Sequence, residues 1–377
     1  MTLIHPTIQT PTDFSIVTNT PVPPTMVCPV LNQSNTSIWN ALPRGRIVFV
    51  ATNSPMRSEY SSDLYVINSD GTNLTQLSQT NVSRNYAVSS DGQHIAFVQG
   101  NSELYIENID GSGLRRITDN FEGTYMTLHP DSTKLAYNVN GVIKVLSLEE
   151  NALPISLTDP AITGNAWFPK WSPDGQWIAF MGRVEGDYNE IWVMNADGSN
   201  AKQLTNAKYS ASFPVWSPDS QYLLISIETD TYYRRRLHYI VNIETGDVSQ
   251  LTYWEEGVFT LILGWLPDSQ HLVVASNRDT GAHYLDIYTA PLDGTEWVRS
   301  TTNSGFIFDS FMNSDFSASP NSMAPKDNYT VFKGWGVEGW SGHSLRILGL
   351  DNVECYTILV DIDPRQRSRL GLFTWVP

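Results

Sequence analysis

The 377-residue chain is long enough for one large repeat domain or two ordinary ones, and its formal charge of -16, with no basic stripe to offset it, argues against a nucleic-acid partner. No apolar run approaches the roughly 18 to 20 residues of a membrane-spanning helix, so no transmembrane segment is expected. The two cysteines, Cys28 and Cys355, exclude a cysteine-rich zinc site and a disulfide-dense scaffold, and the sequence leaves open whether they pair.

Residues 1–40 differ in kind from the rest. Pro6, Pro11, Pro21, Pro23 and Pro24 are interleaved with threonine, asparagine and serine without periodicity, the pattern of a flexible arm. Such Thr/Pro-rich segments often follow an export signal, so a periplasmic or cell-surface protein is expected. No leader is visible in this chain, and a disordered intracellular tail is the alternative.

From residue 41 onward the chain repeats. Units of roughly forty to fifty residues each read as four short strands, a to d, because runs of β-branched and aromatic residues alternate with turn-forming Asp-Gly punctuation. The first unit has Arg46-Ile47-Val48-Phe49-Val50 as strand b and Asp63-Leu64-Tyr65-Val66-Ile67 as c, but no strand a precedes them. Units follow around Ser90-Asp91-Gly92 and His129-Pro130-Asp131. The clearest copy runs from Phe168-Pro169-Lys170-Trp171-Ser172-Pro173-Asp174-Gly175 through Ile191-Trp192-Val193-Met194-Asn195-Ala196-Asp197-Gly198-Ser199 to Gln203-Leu204-Thr205. Two more repeat it at Trp216-Ser217-Pro218-Asp219 and Trp265-Leu266-Pro267-Asp268, and a degenerate seventh begins near Phe316. Leu372-Phe373-Thr374-Trp375 has the form of a strand a, which the first unit lacks. The expected fold is all-β: a seven-bladed propeller of four-stranded blades closed by the C-terminal strand, with almost no helix. Six blades is the alternative, if residues 301–342 are an insertion and the final segments do not make a full blade.

These Trp-Ser-Pro-Asp-Gly, Ile-Ala-Phe, Asn-Ala-Asp-Gly-Ser and Gln-Leu-Thr elements resemble the repeats of the TolB-like, WD40-like (PD40) β-propeller family, also found in the N-terminal domains of dipeptidyl-peptidase-type enzymes. The resemblance covers residues 45 to 377 and implies a bacterial propeller. It does not choose between binding proteins and enzymes, since the fold hosts both.

In a four-stranded blade the a–b and c–d turns share one face, and the b–c and d–a loops share the other. Asp91, Asp131, Asp174, Asp219 and Asp268 occupy the first turn class, and Asp70, Asp110, Asp197 and Asp293 the second. Carboxylates so placed suit calcium, but tight turns demand the same residues, and the turn role is preferred. No other cofactor and no metal site are expected. The opposite face stops repeating, and its aromatic and arginine side chains are the types that anchor ligands: Arg57, Tyr60, Tyr188, Tyr232, Tyr233, Arg235, Tyr253, Trp254, His283, Trp335 and Trp340. A non-catalytic monomer that binds a protein, peptide or glycan there is expected. No Gly-x-Ser-x-Gly elbow is present, Gly339-Trp340-Ser341-Gly342-His343 being a near miss, and no catalytic residue is assigned. The alternative is a polysaccharide lyase or glycosidase with a site near the central channel.

Overall fold

The computed structural model describes residues 45–52, 63–78, 82–100, 102–150, 152–183, 188–206, 210–230, 235–252, 258–279, 284–300, 306–307, 329–337, 340–349, 354–358 and 369–376. Its strands follow from the repeated apolar runs. Strand β13 (Trp177–Arg183) shows why these runs barely alternate with polar residues. Ile178 and Phe180 pack with Trp171 and Ala136 on one side, while Ala179 and Met181 pack with Trp216 and Leu223 on the other. Each inner sheet is covered on both faces by its neighbours, so both registers of the strand must be apolar.

Among the described residues, six antiparallel sheets result that each follow a path of four strands, the sixth with a fifth short strand beside it. The first comprises β28 (Arg369–Val376), β1 (Arg46–Thr52), β2 (Asp63–Asn68) and β3 (Thr75–Gln76), so the last strand of the chain takes the a position beside β1. The second is β4 (Val82–Val88), β5 (His94–Gln99), β6 (Glu103–Asn108) and β7 (Arg115–Thr118), and the third β8 (Thr124–Leu128), β9 (Lys134–Val139), β10 (Val142–Ser147) and β11 (Ile155–Ser156). A single helical turn, α1 (Pro160–Thr163), then leads into β12 (Asn165–Trp171), β13, β14 (Glu190–Asn195) and β15 (Lys202–Gln203). The fifth sheet is β16 (Ala211–Trp216), β17 (Tyr222–Asp230), β18 (Arg235–Asn242) and β19 (Val248–Gln250). The sixth is β20 (Thr260–Trp265), β21 (His271–Ser276), β22 (Tyr284–Pro291) and β23 (Val298–Arg299), with β24 (Phe306–Ile307) also paired to β22. Strands β28, β4, β8, β12 and β16 touch in series, which makes the a strands the inner ones.

The expectation of seven four-stranded blades is corrected here. After the sixth blade come β25 (Tyr329–Val337), β26 (Trp340–Gly349) and β27 (Glu354–Ile358), which form a sheet of three strands. This sheet touches the sixth blade through β24 and the first through β28, but among the described residues it has no strand a. The sequence there, Phe316-Ser317-Ala318-Ser319-Pro320-Asn321, has lost both the tryptophan and the Asp-Gly of the turn, and it lies outside the described residues. Among the described residues the propeller therefore has six four-stranded blades.

The repeated turn residues act locally. Ser172 Oγ donates to Asp174 Oδ1 (2.5 Å) and accepts from the Trp177 amide (3.0 Å), while Asp174 also accepts from the Gln176 amide (3.0 Å). Ser217 and Asp219 repeat this arrangement around Tyr222. In the c–d turn, Asp197 accepts from the Ser199 amide (2.9 Å) and hydroxyl (2.6 Å). The threonine of Gln-Leu-Thr works away from the turns. Thr205 Oγ1 accepts from the Ile191 amide at 2.9 Å, filling a buried backbone donor at the start of strand c. Thr158 and Thr252 do the same for Ile143 and His238.

The a-strand tryptophans seal the seams between blades. Trp216 Nε1 donates to the Lys170 carbonyl (3.0 Å) and Trp265 Nε1 to the Val215 carbonyl (3.2 Å), each reaching back to the preceding blade. At the seam between the third and fourth blades Trp171 is equally buried, but its Nε1 finds no acceptor among the described residues, and its ring packs edge-on against His129 at 4.7 Å.

Candidate functional site

Most of the expected rim lies outside the described residues: Arg57, Tyr60, Tyr232, Tyr233, Tyr253, Trp254 and His283. Tyr188 lies between β13 and β14 and is 44% exposed. Arg235 opens β18 opposite Asp230. Trp335 and Trp340 stand in the β25–β26 hairpin, opposite His343 and Val337, so they sit on strands rather than in a loop. Cys28 is outside the described residues, and Cys355 faces Leu348 across β26–β27.

The inner strands carry a feature that the rim residues do not. In all six four-stranded blades the pairing of strand a with strand b slips by a residue or more: beside Thr124/Thr127 in β8, Trp167/Lys170 in β12 and Ser212/Val215 in β16, with counterparts in β4, β20 and β28. Such bulges bend a strand and re-aim its side chains, and they recur next to functional sites. In two of them an aromatic residue occupies the left-handed region, Tyr125 at φ 50° and Phe168 at φ 54°, a conformation costing bulky side chains about 1 to 2 kcal/mol each.

Those two strained residues meet. The rings of Tyr125 and Phe168 lie 3.7 Å apart between centroids at 32°, joining the inner strands of the third and fourth blades, and Tyr125 remains 48% exposed. Trp167 and Phe168 are consecutive yet both pack against the core between the fourth and fifth blades, because the bulge cancels the alternation of side chains. At the end of β13, the exposed Arg183 holds its guanidinium 5.6 Å from the Trp167 ring centroid. Its Nε and Nη2 both donate to Asn189 Oδ1, at 3.0 and 2.8 Å, which fixes the plane of the cation. Tyr125, Trp167, Phe168 and Arg183, with Tyr188 beside Asn189, thus furnish an aromatic shelf on the side of the propeller away from the repeated turns.

Lys170 follows on the same strand. It is half-buried, and that burial pushes its ammonium below the usual lysine range. No hydrogen bond or ion pair to its amine is present among the described residues.

Ionisable groups elsewhere are set differently. On the turn face a recess of about 320 Å³ is lined by Arg46, Gln93, His94, Asn108, Ile109 and Asp110. Next to it in sequence, buried Glu107 is pushed up to about 7, first by desolvation and then by the Asp110 carboxylate, and its Oε1 has no partner among the described residues. In the sixth blade Asp286 is fully buried and accepts from Arg299 Nε at 3.0 Å, while Tyr288 Oη donates to Asp279 at 2.9 Å. Among the described residues no three His, Cys, Asp or Glu side chains gather where they could hold a metal ion, and no helix is long and apolar enough to cross a membrane.

The shelf was legible in one respect that sequence reasoning missed. Pro169 and Pro214 sit inside strands β12 and β16, each at the point where the pairing slips. Proline in a strand interior marks a bulge, because it cannot donate to the ladder.

Comparison with known proteins agrees with this architecture. The TolB β-propeller domain family matches residues 163–324. A 59-residue segment, 16% of this chain and 9% of the relative, is 32% identical to the uncharacterized peptidase YuxL of Bacillus subtilis (strain 168). Among solved structures, an oligogalacturonate lyase in complex with manganese aligns over 86% of this chain and 88% of its own at 14% identity and a TM-score of 0.58. A Mycobacterium tuberculosis puromycin-hydrolyzing peptidase aligns over 90% of this chain and 56% of its own at 15% identity and a TM-score of 0.56. At such identities the structural likeness concerns the fold alone. With six four-stranded blades among the described residues, the chain has a β-propeller fold, and its residues 163–324 are similar to the TolB β-propeller domain.

Proposed function

We propose that this propeller is a non-catalytic binding module whose ligand, a glycan or peptide chain, stacks on the aromatic shelf formed by Tyr125, Phe168 and Trp167 at the inner edge of the third and fourth blades. The observation that carries the reading is the Tyr125–Phe168 pair: two large rings in strained backbone positions, one of them nearly half exposed. Strain of this kind persists where the surrounding fold over-determines it, and it clusters at binding and active sites. Ring faces presented to solvent suit the apolar faces of sugars and aromatic side chains, and Arg183 adds a pre-oriented donor at the shelf's edge. The rim residues expected from the sequence, Arg57 to Trp340, are proposed as further ligand contacts. It includes an exported location, supported by the Thr/Pro-rich composition of residues 1–40.

The test is an array of glycans and peptides probed with the chain and with Tyr125→Gly. Glycine adopts φ 50° without strain, so the substitution removes the ring and leaves the backbone in place. Loss of about tenfold in affinity for a hit is expected, the equivalent of about 1.4 kcal/mol of stacking. Hits that bind Tyr125→Gly as tightly as the original chain would refute the shelf.

A further inference from the structure

We propose that the recess between the first and second blades, on the turn face, binds a small zwitterion of the α-amino-acid type at a site separate from the aromatic shelf. At about 320 Å³ it falls at the small end of ligand pockets, which span roughly 300 to 1,000 Å³. Its lining carries both signs of charge: Arg46 opens β1 in the first blade, His94 opens β5, and Asp110 stands in the turn after β6. The Asp110 carboxyl is held below the usual carboxylate range first by the Ser112 hydroxyl and amide, and further by the Arg46 charge. Yet no ion pair joins Asp110 to Arg46 among the described residues. Opposite charges that lie near each other without meeting leave room for a ligand that carries both.

The groups that would receive it are unspent. Among the described residues the Arg46 guanidinium donates no hydrogen bond, and Asp110 is engaged through Oδ1 alone, by the Ser112 amide and hydroxyl at 2.9 and 2.6 Å. The His94 ring also lacks a partner there, its Nδ1 buried and unbonded. His271, which opens strand b in the sixth blade as His94 does in the second, shows what the turn alone would do: its Nδ1 meets Asp268 Oδ2 at 2.7 Å. Asp91, the counterpart of Asp268, is instead taken by Ser89 Oγ at 2.5 Å, where the sixth blade has Leu266.

An independent observation comes from Glu107, next in sequence to the lining residue Asn108. It pairs with Ile95 across β5 and β6 and so lies on the sheet face that packs against the first blade. The same place in the other five four-stranded blades is filled by Ile67, Leu146, Met194, Val241 and Ala290, all apolar and buried. A carboxyl there, 3% exposed, costs the fold a desolvation that Oε1 recovers through no hydrogen bond among the described residues. Departures of this kind from the local folding rule concentrate at functional sites. In the proposed complex Arg46 and His94 donate to the ligand's carboxylate, and Asp110 accepts from its ammonium. Glu107, pushed up to about 7, holds a proton part of the time at neutral pH and so opposes that carboxylate with less than a full charge.

The test is calorimetric titration of the full chain at neutral pH with each of the common L-amino acids. Any that bind are compared with their two halves, the acid without the amine and the amine without the carboxylate: propionate and ethylamine for alanine. Saturable binding of at least one amino acid is expected, with each half about tenfold weaker, and with Arg46→Gln and Asp110→Asn each weakening it about tenfold. The comparison of halves uses the parent chain and needs no variant to fold. Tyr125→Gly leaves this binding unchanged, so the recess stands even if the array experiment refutes the shelf. Absence of saturable binding by every amino acid overturns the proposal. So do halves that bind as tightly as the whole, affinity that survives both recess substitutions, or affinity lost in Tyr125→Gly.

Discussion

The two faces of this propeller use their polar and aromatic residues in opposite ways. On the turn face, Asp91, Asp174, Asp197, Asp219 and Asp293 are engaged by hydroxyls and amides of their own turns, so their carboxylates close the blade corners. On the other face, Tyr125 and Tyr188 are exposed, and Arg183 is held over a ring. Polar chemistry that is repeated is consumed by folding, whereas the exposed rings and the held cation are particular to the third and fourth blades. The bulged inner strands are where the two regimes meet.

The largest expected effect tests an exception on the turn face. Glu107 is buried with its carboxyl raised from the ordinary 4.5 to about 7, so the folded state holds this proton more tightly than the unfolded state. Its contribution to stability is therefore complete below about 4.5, declines as pH rises through that window, and is lost above about 7. Glu107→Gln removes the titration. Relative to the parent chain it should gain up to about 3 kcal/mol on going from pH 4.5 to pH 8, a figure discounted toward the lower end by any relaxation of the seam. Urea midpoints of the two proteins at both pH values check this, and a constant difference would mean that Glu107 is ionised or solvated in the fold.

Next in size is the turn chemistry itself. Ser172 is fully buried, and Ser172→Ala strands the Trp177 amide and one acceptor of Asp174, for a loss of about 1 to 2 kcal/mol. An unchanged thermal midpoint would show that these hydroxyls are decorative.

Smaller still is a contrast between two seams. Trp216→Phe deletes a donor to the Lys170 carbonyl, whereas Trp171→Phe deletes an indole N–H that has no acceptor. The first should be more destabilising by about 1 kcal/mol. Equal losses would place an acceptor on Trp171. The smallest effect belongs to Tyr125→Gly, whose relief of strain at φ 50° offsets the lost contact with Phe168, so that denaturation midpoints should agree within about 1 kcal/mol.

The legible and illegible parts of the molecule divide along the same line as its faces. The turns and the b and c strands could be read directly, since Asp-Gly punctuation and short apolar runs are local signals. The closing role of β28 was visible because Thr374-Trp375 copies the a-strand pattern at a place where the first unit lacks one. The bulges were not read, although Pro169 marked one of them, because strand patterns assume a strict period of two and a slip of register has no composition of its own. Helix α1 was missed in a chain expected to be nearly helix-free, yet Asp159-Pro160 is a compact start signal: Asp159 caps the turn through the Ala161 amide, with proline at the first position. The seventh unit was over-read from its b, c and d strands, which do form, while no strand a stands beside them among the described residues and the sequence at residues 316–321 no longer carries the repeat's tryptophan and turn.

The most direct test of the division between faces is a titration of tryptophan fluorescence with a ligand taken from the array, using the parent chain, Tyr125→Gly and the turn-face control Asp197→Asn. If the shelf is the binding surface, Tyr125→Gly weakens binding about tenfold while Asp197→Asn leaves it unchanged. Binding that survives in Tyr125→Gly but weakens in Asp197→Asn would put the ligand on the face of the repeated turns and contradict the account.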